Sequence, residues 1–137
     1  MKIKCMYGLL VFAALLILAS CKISYNVRIG FVENHWNGYL VCNYKSFTGN
    51  EYMRKDFLNG DSAVIDYEVH QKSGSLLLQF KEKGSDTTIW KTEITGSATQ
   101  SDKIEIPVVN AGKYELIITG KKSSGSFKTT LLKKSSI

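Results

Sequence analysis

The stretch Ala63-Val-Ile-Asp-Tyr-Glu-Val-His-Gln-Lys-Ser-Gly-Ser-Leu-Leu-Leu-Gln-Phe80 decides the fold. Ala63, Ile65, Tyr67 and Val69 alternate with Asp66 and Glu68, and Leu76, Leu78 and Phe80 resume the alternation after Lys72-Ser-Gly-Ser75. A period of two puts the apolar set on one face and the charged set on the other, the pattern of a half-buried strand. The polar break around Gly74 reads as a turn between two strands, because glycine accepts positive φ at no steric cost.

The same grammar extends in both directions. Tyr25, Val27, Ile29 and Phe31 alternate upstream; Ile104, Ile106 and Val108, then Tyr114, Leu116 and Ile118, then Phe127, Thr129 and Leu131 alternate downstream. Residues 39–47, 51–58 and 87–95 are less regular strand candidates. Turns are predicted at Asn59-Gly-Asp61, Lys83-Gly-Ser-Asp86, Asn110-Ala-Gly112 and Gly120-Lys-Lys-Ser-Ser-Gly125. Short strands with evenly spaced turns and one polar face predict an all-β, antiparallel two-sheet β-sandwich, jelly-roll-like, of about eight strands. The 137 residues suffice for one such domain.

The amino-terminal residues read as an address. Lys2 and Lys4 precede an uncharged apolar run from Gly8 to Ala19. That is the layout of a secretory signal, and the run is short for a membrane span, which needs about 20 apolar residues. Leu18-Ala-Ser-Cys21 resembles the lipobox of bacterial lipoproteins. The resemblance implies a diacylglycerol on the Cys21 sulfur, further acylation (palmitate among the acyl chains) and cleavage just before Cys21. The expected organisation is a signal-peptide helix over 1–20 and one extracytoplasmic domain over 21–137, held on a bacterial membrane by the lipid on Cys21. Only Lys22, Ile23 and Ser24 separate that cysteine from the first alternating run, a reach on the order of 10 Å, so residues 22–37 read either as strand close to the headgroups or as a tether.

Gly60-Asp61, Lys72-Ser-Gly-Ser-Leu76, Lys83-Gly-Ser-Asp86 and Ile89-Trp90 are similar to the turn-and-strand plan of small bacterial lipoproteins of unassigned function. The closing segments Ala111–Gly120 and Ser124-Gly-Ser-Phe127 are similar to the end of GOLD-like and pre-peptidase C-terminal β-sandwiches. The likeness covers a little over half the chain, implies fold, and brings no catalytic set with it.

Chemistry is sparse. The net charge of +6 includes Lys2 and Lys4, and the rest of the basic residues are dispersed, whereas nucleic-acid binding wants a concentrated basic stripe. His35 and His70 are the only histidines, with no zinc-type ligand spacing, nucleophile elbow or phosphate loop around them. Neither an enzyme nor a cofactor is expected. Cys42 sits among apolar neighbours and reads as a buried thiol rather than an intermolecular disulfide. One segment, Glu33-Asn-His-Trp-Asn-Gly38, reads as a polar loop in which Trp36, with His35 and Asn37, forms a platform for a sugar ring or a partner protein; the competing reading folds Trp36 into the core. The expected function is a non-catalytic extracytoplasmic module that binds a protein or glycan ligand. The alternative is a structural envelope component packing beside a membrane protein complex.

Overall fold

The computed structural model describes residues 27–30, 32–36 and 38–136. The expected signal segment over 1–20, Cys21 and residues 22–26 lie outside the described residues. Seven strands follow in chain order: β1 (Val27–Ile29), β2 (Val32–Trp36), β3 (Tyr39–Phe57), β4 (Ser62–Glu82), β5 (Trp90–Thr95), β6 (Ala98–Pro107) and β7 (Gly112–Lys134). All pairings are antiparallel, and the hydrogen-bonded path runs β1-β3-β7-β4-β5, with β2 on β3 and β6 on β4.

The all-β, antiparallel expectation therefore holds, but the construction differs from two separate sheets. β3, β4 and β7 are 19, 21 and 23 residues long, and each crosses from one layer of the sandwich to the other. One layer holds β6, residues 62–71 of β4, 123–134 of β7, 39–44 of β3, and β2. The other holds β5, residues 75–82 of β4, 112–120 of β7 and 49–57 of β3. The three long strands bend side by side along one crease. There the register slips between Tyr44 and Gly49 in β3 and between Gln71 and Ser75 in β4.

Two turns read from sequence are thus corrected. Lys72–Ser75 and Gly120–Gly125 are not hairpins but corners within continuous strands. Their glycines are required by space as well as conformation. A Cβ on Gly74 (φ 78°) would lie 2.1 Å from the Lys122 carbonyl oxygen, and one on Gly125 (φ 139°) 2.0 Å from that of His70. Real Cβ atoms do not approach so closely, and β-carbons disfavour both φ values.

The core lies between the layers. Ala63, Ile65, Val69, Leu76, Leu78, Phe80, Leu116 and Ile118 are fully buried, joined by Leu40, Phe47, Phe57 and Phe127. Phe57, Phe80 and Tyr114 form an aromatic trio with centroids 5.6–6.3 Å apart, a geometry that adds to the area each ring buries. Trp90 is half-buried against Tyr67 at 5.8 Å. Under the crease, buried polar side chains are mutually satisfied. Tyr44 donates to the Ser123 hydroxyl (3.1 Å), Ser123 donates to Gln71 Oε1 (2.9 Å), and the Gln71 amide donates to the carbonyls of Gly74 and Ile94. Burial of such groups is tolerated only when they are paired in this way.

β1 departs from its expected pattern. Ile29, placed by alternation on a buried face, is 56% exposed. Among the described residues the strand pairs only with Ser46–Thr48, where β3 turns between layers, and no opposing layer covers it.

Candidate functional site

Alternation that sends Ile65, Tyr67 and Val69 into the core sends Asp66, Glu68 and His70 out. On the outer face of the first layer the register sets these three into rungs. Thr99, His70, Ser126 and Asn43 make one; Ser101, Glu68, Lys128 and Val41 the next; Lys103, Asp66, Thr130 and Tyr39 the third. Three adjoining depressions run along them. The one nearest the crease is about 510 Å³ and is lined by Asn43, Lys45, His70, Lys72 and Thr99, among others. The middle one, about 160 Å³, shares Asn43, His70 and Ser126 with it, and the last, about 230 Å³, shares Glu68 and Lys128 with the middle one and ends at Tyr39, Asp66 and Thr130. Together they form one trough. From Lys72 to Asp66 it follows seven residues of β4, a span of roughly 20 Å.

Five of its side chains interact with one another. His70 Nε2 lies 2.6 Å from Glu68 Oε1, and the Thr99 hydroxyl is 3.4 Å from His70 Nδ1. The hydrogen bond from His70 holds the Glu68 carboxyl below its ordinary range. The Lys128 ammonium sits 5.7 Å from the centroid of the half-buried Tyr39 ring. Interaction with the Tyr39 hydroxyl, and then with the field of Glu68 and Asp66, holds the proton on Lys128 more firmly than usual. The trough therefore presents carboxylates that accept, three ammonium groups that donate, an amide that does both and one aromatic ring, all on one sheet face. That set suits a ligand rich in hydroxyl groups, each of which both donates and accepts.

The outer face of the second layer is packed flat instead. The Arg54 guanidinium lies 4.9 Å from the centroid of Tyr52 and donates to Glu115 at 3.1 Å, and Ile117 beside them is only 9% exposed.

The segment singled out in the sequence lies beside the trough but is not a loop. His35 and Trp36 are in β2, paired with Leu40 and Tyr39; Asn37 lies outside the described residues. Trp36 thus stands on the rung that ends at Tyr39, and Gly38 (φ 82°) closes the hairpin. Sequence reasoning missed Tyr39, Asn43, Glu68, His70 and Lys128 as a group. They are ordinary outward positions of three strands, and only the register assembles them. Cys42 is buried as expected, and burial, followed by the charges of Glu33 and Glu51, pushes its thiol up to about 12. It is no nucleophile at neutral pH. Among the described residues no three metal-ligating side chains cluster.

No family model matches the chain, and no curated protein resembles it. Solved structures do resemble it. TmCBM61 in complex with β-1,4-galactotriose superposes with a TM-score of 0.50 at 14% identity, over 69% of this chain and 71% of that one. A structure described under "CBM4 structure and function" gives 0.49 at 7% identity, over 77% and 79%. The carbohydrate binding module CBM6cm-2 from Cellvibrio mixtus lichenase 5A, in complex with cellotriose, gives 0.46 at 14%, over 82% and 93%. The chain thus has a β-sandwich fold resembling that of carbohydrate-binding modules.

Proposed function

We propose that this chain is a non-catalytic carbohydrate-binding module, displayed outside the cytoplasm on a lipid carried by Cys21, and that the trough on the outer face of the first layer receives an oligosaccharide. The observation that carries the reading is the continuity of that trough. Three depressions share side chains and end on the Tyr39 ring, with Asn43, Ser126, His70, Glu68, Lys128 and Asp66 spaced along it. A sugar ring offers an apolar face for an aromatic side chain and a rim of hydroxyls for polar groups, and a trough of this length accommodates more than one ring. The likeness to a module that holds β-1,4-galactotriose supports the same reading. Trp36, whose backbone pairs with Tyr39, belongs to the platform in this proposal, together with its sequence neighbours His35 and Asn37.

Affinity electrophoresis and titration calorimetry against a panel of soluble polysaccharides, β-1,4-galactan included, test the proposal. At least one glycan is expected to retard the protein. Tyr39→Ala is expected to weaken that binding about tenfold, the equivalent of roughly 1.4 kcal/mol, with the melting temperature little changed. Retention of no glycan, or a Tyr39→Ala variant that binds as the parent does, sinks the reading. Mass spectrometry of the mature amino terminus tests the lipid separately.

A further inference from the structure

The crease carries a cluster of lysines that the trough shares only in part: Lys45 and Lys72 line its near end, whereas Lys121 and Lys122 lie outside it. Lys45 of β3, Lys72 of β4 and Lys121 and Lys122 of β7 all project at the three corners, and all are exposed. None of the four has an ion pair among the described residues, whereas Arg28 nearby is engaged by Glu51 and Glu33. At the opposite end of the sandwich charges of both signs mingle: Asp56, Glu82 and Asp86 lie among lysines, and Lys134 stands 3.4 Å from Glu105.

Two further observations concern the same edge. Lys122 is the one described non-glycine residue with positive φ (48°), its backbone N–H held by the Thr48 hydroxyl at 3.0 Å. A lysine in this conformation carries a steric strain that a glycine would not, and the neighbouring corners at 74 and 125 do use glycine. Beside it a depression of about 520 Å³ is lined by Val27, Ser46, Thr48, Lys121 and Lys122. Ammonium groups over hydroxyls and lysine stems suit a phosphate ester whose remainder is apolar. Val27 also opens β1, the first strand in chain order among the described residues, and Cys21 lies six residues upstream of it in the sequence.

We infer that the crease is a membrane-apposed surface whose four lysines engage the phosphate headgroups of an anionic bilayer, which stands the domain on its crease. The trough then runs away from the bilayer, with its Tyr39 end outermost. The orientation rests on the proposed anchor at Cys21; the headgroup contact does not. Basic groups close to an anionic surface act additively and fade within a Debye length, so position at the edge matters more than net charge.

The full chain, mixed with vesicles of phosphatidylcholine alone or of phosphatidylcholine with phosphatidylglycerol, separates the two claims. Flotation with the neutral vesicles reads the anchor. Amine-reactive labelling followed by mass spectrometry reads the crease. On mixed vesicles Lys45, Lys72, Lys121 and Lys122 are expected to label several-fold less than on neutral ones, with Lys113, Lys133 and Lys134 unchanged. If the protein leaves the neutral vesicles, the anchor fails. Salt-sensitive flotation with mixed vesicles, reduced at least about tenfold in Lys121→Gln/Lys122→Gln, still upholds the crease. Equal labelling at both ends, protection of the far end, or flotation with neither vesicle overturns it. The melting temperature of the double variant guards against misfolding.

Discussion

His70 and Glu68 sit two residues apart on one strand, so both point outward and their side chains meet above the sheet. The contact favours the ionised carboxylate, which is why Glu68 titrates below its ordinary 4.5. The sign follows from that lowering. The interaction stabilises the folded chain fully at pH values above 4.5 and is lost as the pH falls through the lower folded value. Both groups are exposed, so water screens the effect and it governs the local arrangement of the trough more than global stability. NMR titration of the Glu68 carboxyl carbon is expected to give a midpoint below 4.5, moving up toward that value in His70→Ala. A midpoint unmoved by the substitution would show that His70 does not hold the carboxylate.

At the scale of the element, the crease is what makes three long strands out of six shorter ones. Alternation gave the buried set correctly, from Ala63 to Val69, Leu76 to Phe80, Tyr114 to Ile118 and Phe127 to Leu131, because a period of two depends only on the local pleat. It could not tell a corner from a hairpin. Both interrupt the alternation with glycine and polar residues, and the difference lies in whether the strand meets the same partner on both sides of the break. β4 does, pairing with β7 before and after Gly74. The trough was illegible for a related reason: Asp66, Glu68 and Lys128 alone read as a solvated face, and their neighbourhood is a property of register. Substitution tests the corner. Gly125→Ala is expected to destabilise the fold by about 3 kcal/mol or more, since the new carbon collides with backbone rather than with a movable side chain. Lys122→Gly is expected to stabilise by about 1 kcal/mol. Urea denaturation checks both, and a neutral Gly125→Ala would mean that the corner can open.

For the molecule as a whole, the ladder runs unbroken from one layer to the other, and many of its pairs join distant parts of the chain, such as Ser62 with Lys134 and Tyr39 with Thr130. Neither layer can therefore be lost while the other keeps its edges. Thermal unfolding followed by tryptophan fluorescence, to which half-buried Trp90 contributes from the second layer, and by far-UV circular dichroism is expected to give one coincident transition. Separate midpoints would mean that the layers come apart. Refolding should be slow for the size of the domain, in the millisecond-to-second range, because such distant pairings must close before they are rewarded. The exception to this unity is the three-residue β1, whose ladder pairs among the described residues are Val27–Thr48, Arg28–Phe47 and Ile29–Ser46. A pull from upstream falls on those three first and then on the five pairs of β2. Ten or so residues would then unzip, so that a domain held by the proposed lipid on Cys21 gains a leash longer by on the order of 35 Å and yields to a tug while its bulk keeps its shape.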